Sequence, residues 1–308
     1  MPTKPVSRFA VLLVSLAALL SPALARAETF PPLNFPASAA HNPGKFVWAD
    51  LFTSDPAAAT TFYTKLFGWT STTLFQKGKA YTVFSNGNRP VAGLVTRNAN
   101  KTERASRWIG YIAVNDADTT LATIAKAGGK VHAPVRDFPD RGRQAIVGDN
   151  EGAPIGLLQS ASGDAADGEP HPGDWNWFEL FASKPTDSCR FYDDVFGYTS
   201  APDDRTERKG DFLLSAGDQP RAGIAPLPPS DDARSPGWLG VIRVANLDAT
   251  LAQVVPLGGV VKLAPRPAAY ESRFAIIITD PTGGTIGLVE YVDNSNPATA
   301  PLHHENTP

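Results

Sequence analysis

The sequence predicts an α+β chain built from four βαβββ modules, two in each of two tandem bodies. Three repeated stretches carry this. "WADLFTSDPAAATTFYTKLFGW" at 48–69 returns as "WFELFASKPTDSCRFYDDVFGY" at 177–198, with Trp48, Phe52, Phe62, Tyr63 and Gly68 answered by Trp177, Phe181, Phe191, Tyr192 and Gly197. "IGYIAVNDADTTLATIAKAGGKV" at 109–131 is answered by "LGVIRVANLDATLAQVVPLGGVV" at 239–261. "RQAIVGDNEGAPIGLLQ" at 143–159 is answered by "RFAIIITDPTGGTIGLVE" at 273–290. A tandem duplication explains all three, because the period is far longer than that of a solenoid repeat.

The chain opens with Lys4 and Arg8, then the apolar run "FAVLLVSLAALL", then Ala25-Arg26-Ala27. Charged, apolar and small-residue regions in that order predict a secretory signal peptide over 1–27, cleaved after Ala27. An apolar run of about 12 residues is short for a membrane span, which needs about 20. The mature chain is therefore expected to be secreted or periplasmic, off the membrane after cleavage. Its net charge of -3 and scattered signs give no reason to expect a nucleic-acid partner. One cysteine, Cys189, excludes an internal disulfide.

Residues 28–43 lack periodicity and read as an extended lead-in. Body one spans 44–159, a small, acidic, proline-containing linker spans 160–172, and body two spans 173–291. Residues 292–308 show no apolar period and are expected to form a disordered tail. Within body one, "KFVWADLFT" alternates, placing Phe46, Trp48, Asp50 and Phe52 on one face of a strand. Asp55 is the N-cap of the following helix and Pro56 suits its first position. Ala59, Phe62, Tyr63 and Leu66 make its apolar stripe, and Gly68 ends it. "YTVFS" and "VAGLVT" are short strands. The second module repeats the scheme through "IGYIAVN", a helix from about Ala117 to Ala127, "KVHAPV", "RQAIVG" and "APIGLLQ".

That order, punctuated by "FYxxLFGW" and "D-x-x-G-x-x-x-x-L", resembles the vicinal oxygen chelate superfamily, the glyoxalase, bleomycin-resistance and extradiol-dioxygenase fold. The resemblance covers nearly the whole mature chain. It implies that paired βαβββ modules curl into open barrels around a pocket, and that the two bodies pack as an internal pseudo-dimer. It also implies a divalent metal held by His, Gln or Glu from the first and last strands of each module. Matched residue by residue, those positions are Trp48, Gly93, Ile109 and Gly156 in body one, and Trp177, Gly223, Leu239 and Gly287 in body two. None offers a side-chain donor. His41, His132, His171, His303 and His304 do not replace them, so no metal and no cofactor is expected.

The pocket face of each first strand instead carries an indole beside a carboxylate: Trp48 with Asp50 and Phe52, and Trp177 with Glu179 and Phe181. Such a pair either binds a flat organic molecule or fills the space that a metal cluster would take. Tyr111 is expected to face the first pocket. Arg243 is expected inside the second, paired with Glu179 or gripping an anion. The leading expectation is metal-independent binding of a small organic molecule. The alternatives are a metal-free lyase or isomerase with Asp50 or Glu179 as base, a metal enzyme with displaced ligands, and a structural module whose barrels are plugged by their tryptophans.

Overall fold

Each half of the chain folds into one curved, eight-stranded mixed sheet in this computed structural model, which describes residues 1, 30–34, 36–76, 78–98, 106–206, 209–228, 235–263 and 272–291. The expected signal peptide, the C-terminal tail and His303 and His304 lie outside the described residues.

In body one the elements are β1 (Phe46–Thr53), α1 (Pro56–Phe67), β2 (Thr70–Gln76), β3 (Lys79–Asn86) and β4 (Arg89–Thr96), then β5 (Arg107–Ala113), α2 (Ala117–Lys126), β6 (Lys130–Phe138), β7 (Gly142–Gly148) and β8 (Pro154–Ser160). Body two repeats them as β9 (Trp175–Ala182), α3 (Pro185–Phe196), β10 (Thr199–Pro202), β11 (Phe212–Ala216) and β12 (Gln219–Pro226), then β13 (Gly237–Arg243), α4 (Leu247–Val254), β14 (Val260–Leu263), β15 (Ser272–Thr279) and β16 (Thr285–Tyr291). The strand order is β2-β3-β4-β1-β5-β8-β7-β6, with its equivalent in body two. The first strands of paired modules meet antiparallel at the centre, and the edge strands do not close on each other, so each sheet is an open trough.

The expected helix signals act as read. The Asp55 side chain accepts from the Ala58 amide at 3.0 Å, and Gly68 takes the left-handed conformation that stops α1. In α3 the cap position is Lys184, which makes no side-chain cap bond. Glu151 of the other body takes over, accepting the Ser183 and Lys184 amides at 2.8 and 2.7 Å.

The helix-side cores are shared between the bodies. One joins Leu51, Phe62 and Tyr63 of the first module to Ile242, Val254, Ile276 and Leu288 of the fourth. The other joins Ile112, Ile124 and Leu157 of the second module to Leu180, Tyr192 and Ile224 of the third. A one-face-apolar sheet must bury that face against another layer. Here the other layer comes from the other body.

Buried hydrogen bonds tie the cores reciprocally. Tyr63 donates to Asp280 at 2.8 Å and Tyr192 donates to Asp149 at 3.0 Å, while Trp108 and Trp238 donate to those same two phenols. Trp69 donates to the Gly173 carbonyl, and its counterpart Tyr198 to the Gly44 carbonyl. Cys189, expected as a small packed side chain, is buried, and burial first of all pushes its thiol up to about 11.

One local expectation is corrected. A bulge between Phe46 and Trp48 turns Phe46 out of the pocket face, and its ring stacks on Phe178 at 4.1 Å in the interface. The 160–172 stretch makes its own contacts with both bodies and the lead-in. Asp164 hydrogen-bonds the lead-in through the Asn42 and Ala40 backbones, and Asp167 pairs with Lys45 and Arg221.

Removing either reciprocal phenol leaves a buried carboxylate short of one donor. Tyr63→Phe and Tyr192→Phe should each cost about 1–3 kcal/mol in urea unfolding. They act in separate cores, so the double variant should lose roughly the sum. A double variant no weaker than either single would show that the two bonds are not independent ties.

Candidate functional site

Strand register decides what fills each trough. In body one Asp50 lies level with Gly93 on β4 and Ile109 on β5, while Trp48 lies level with Tyr111, which pairs with Gly156 on β8. The Asp50 carboxylate and the Tyr81 hydroxyl fill the space over Gly93, where a Cβ on residue 93 would collide with both. The Tyr111 ring likewise fills the space over Gly156. Glycine is required at these positions to admit neighbouring side chains.

The first trough is a closed polar-aromatic network. Trp48 Nε1 and the Tyr81 hydroxyl donate to Asp50 Oδ1 at 2.8 and 2.7 Å, and Tyr111 is buried beside them in the same cluster. Trp48 is 3% exposed and Asp50 4%. Burial, and then the Asp50 charge, hold both phenols well above the ordinary tyrosine range, so they remain donors. Phe52 is half-buried at the edge of this cluster. The lead-in covers it: Phe30 meets Tyr81 edge-on at 4.4 Å, and Leu33 packs beside it. Arg141 lies 4.0 Å over the Trp48 ring.

The second trough keeps the pair and changes the residues around it. Trp177 Nε1 donates to Glu179 Oε2 at 2.8 Å, and that carboxylate stands over Gly223 as Asp50 stands over Gly93. The position of Tyr81 is held by Asp211, which accepts from Thr206, and that of Tyr111 by Val241. Trp177, Glu179 and Phe181 are each half-buried rather than sealed. Arg205, held by Asp203 through two bonds of 2.8 Å, sits 5.5 Å over the Trp177 ring.

Arg243 departs from expectation. It bonds Glu169 at 2.5 Å and the Pro170 carbonyl at 2.6 Å, because the 169–174 segment returns alongside β13 through the Gly173–Arg243 and Arg243–Asp174 backbone bonds. Tyr81, Arg141, Phe30 and Arg205 were missed in the sequence. Tyr81 could have been found from its place two residues before Val83, which pairs with Gly93. Arg141 sits in a turn, where no periodicity speaks.

The family's metal does not fit this donor set. Each trough offers one carboxylate at the ligand level, already engaged by an indole N–H. Among the described residues no group of three or more His, Cys, Asp or Glu side chains could hold a metal ion.

Tandem βαβββ modules, paired into one curved sheet per body, define a class of protein, and sequence comparison gives the family. The Glyoxalase/Bleomycin resistance protein/Dioxygenase superfamily matches residues 45–157 and again 175–288, and the chain belongs to it. A Mycobacterium bovis protein named "Putative glyoxylase CFP32" is 30% identical over 250 residues, 79% of this chain and 93% of its own. The "Anthracycline biosynthesis protein DauV" of Streptomyces sp. strain C5 is 32% identical over 263 residues, 80% of this chain and 94% of its own. Among solved structures, the Mn(II)-bound glyoxalase from Novosphingobium aromaticivorans superposes with TM-score 0.55 at 18% identity, covering 80% of this chain and 82% of that one. At that identity the likeness is one of fold.

The contrast between troughs sets a stability test. Asp50→Ala takes the acceptor from two buried donors, Trp48 Nε1 and the Tyr81 hydroxyl, and should cost about 2–4 kcal/mol, read as a large fall in melting temperature. Glu179→Ala, at the half-buried counterpart, should stay within about 1 kcal/mol of the parent. Equal losses would contradict the difference in burial.

Proposed function

We propose that this chain is an exported protein that binds a small, flat organic molecule in its second trough without a metal. The observation that carries the reading is the half-buried Trp177–Glu179 pair, retained where its counterpart is sealed. The indole offers a stacking face, and the carboxylate over Gly223 accepts a hydrogen bond or a positive charge from the ligand. Leu239 and Val241 make the floor apolar, which favours a ligand with most of its surface aromatic or aliphatic. Names of relatives that refer to a glyoxylase and to anthracycline biosynthesis agree with small-molecule chemistry in this family.

A thermal-shift screen of cationic and hydrogen-bonding aromatic compounds tests it. A ligand at about 100 times its Kd stabilises by about 2.7 kcal/mol. Trp177→Ala should abolish the shift, Trp48→Ala should leave it, and EDTA should not change it. A shift that needs added manganese, zinc, nickel or iron would overturn the metal-free reading. An alternative use of the same carboxylate is metal-free lyase or isomerase chemistry with Glu179 as base. It is distinguished by turnover of the bound compound that Glu179→Gln stops while binding persists.

Export has its own check. The mature chain recovered outside the cytoplasm should begin at Glu28. A cytoplasmic chain retaining residues 1–27 would remove that part of the proposal.

A further inference from the structure

Arg141 is the group in the first trough that the reading above does not use. It is fully buried, with 0% exposure, yet among the described residues neither Nη1 nor Nη2 has a hydrogen-bond partner. Among the described residues the guanidinium's one hydrogen bond is from Nε to the Pro31 carbonyl of the lead-in, at 3.0 Å. A buried, half-satisfied guanidinium is costly and calls for a partner.

Its placement is built. Arg141 sits in the tight turn between β6 and β7, where Phe138 pairs with Gly142. Asp140 in that turn takes a positive φ of 64°, the sole non-glycine among the described residues to do so. Gly142 follows at φ 119°, and a Cβ there would run into the Gln159 carbonyl. Strain and close approach together aim the guanidinium over Trp48, beside the Tyr81 and Tyr111 phenols whose ionisation its charge affects.

What lies against it is chain rather than ligand. The Phe30 ring stands 5.6 Å from the guanidinium, edge-on to Tyr81 and to Phe138 at 5.1 Å, and Pro31 supplies the carbonyl oxygen. An aromatic ring followed by an oxygen acceptor is the chemistry of an aryl acid, supplied here in cis. The rest of the lead-in is attached mainly through polar contacts of half-exposed residues, such as Asn34 N to Ser162 Oγ at 3.1 Å, which suits a segment able to leave.

We propose that the first trough is a latent binding site for an aromatic carboxylate, held closed by residues 30–33 acting as an internal stand-in for that ligand. The Nη1–Nη2 fork takes the two carboxylate oxygens, and the ligand ring replaces Phe30 between Tyr81 and Phe138. Asp50 does not compete for the fork, because the Trp48 indole and the Tyr81 hydroxyl already engage its Oδ1. This site is separate from the Trp177 site.

Calorimetric titration of the full mature chain with benzoate tests the proposal, with neutral benzamide and sodium chloride as further arms. Phe30→Ala removes the stand-in ring and should tighten benzoate about tenfold. Arg141→Gln should weaken it about tenfold or more, the loss expected for hydrogen bonds to a charged group. Trp177→Ala should leave benzoate binding unchanged, so failure here and failure of the second-trough reading can be told apart. Benzamide binding as tightly as benzoate would overturn the proposal. So would benzoate fully displaced by chloride with no effect of Phe30→Ala, which describes a simple inorganic-anion site. If Arg141→Gln does not fold, the half-buried Phe30→Ala decides alone: no detectable benzoate binding, or binding no tighter than the parent's, refutes the latent site.

Discussion

Everything in this molecule hangs on the exchange of helix-side cores between its two bodies. A trough-shaped sheet needs its convex face covered, and a single short helix per module cannot cover it. The first module therefore packs on the fourth and the second on the third, with phenols and indoles threaded through each contact. Tyr63 reaches Asp280, and Tyr192 reaches Asp149, so the Asp of each "D-x-x-G" turn serves the opposite body. The concave faces are left free to diverge because they contribute nothing to this union.

They have diverged. Both keep an indole hydrogen-bonded to a carboxylate over a glycine, and that shared geometry is the residue of a common ancestor trough. In body one, Tyr81 joins the indole in donating to the acid, Tyr111 fills the space over Gly156, and a strap of the chain's own residues closes the mouth. In body two the same positions carry Asp211 and Val241, and the pair remains half-exposed. One duplication thus yields a buried polar core and an accessible one from the same strands.

Much of this was legible in the sequence. Alternation along β1 and β9 placed Trp48, Asp50, Trp177 and Glu179 on the concave faces, and Asp55, Pro56 and Gly68 fixed the ends of α1. What escaped depends on register and on turns. A bulge at Val47 moves Phe46 to the opposite face, and a period-2 reading cannot see an inserted residue. The strand pairing that sets Asp50, rather than Trp48, level with Gly93 is a matter of register between β1 and β4. Arg243 was read as a pocket residue because nothing local reveals that Glu169 folds back onto it. Arg141 was overlooked because its role rests on one left-handed aspartate and on a lead-in that has no periodicity of its own.

The carboxylate of Glu151 at the start of α3 has an evolutionary corollary. Body two lost the capping aspartate that α1 retains, and it keeps its helix by borrowing an acceptor from its sibling. Thr282 occupies the place in body two that Glu151 holds in body one, and it serves the neighbour through its carbonyl, which accepts from the Ser106 amide. A symmetric pair made from two copies of body two would therefore present no acid to either α3 terminus. Fusion thus works against reversal: a second half paired with itself would start α3 without the acceptor that its sibling supplies, at a cost of about 0.5–2 kcal/mol per helix.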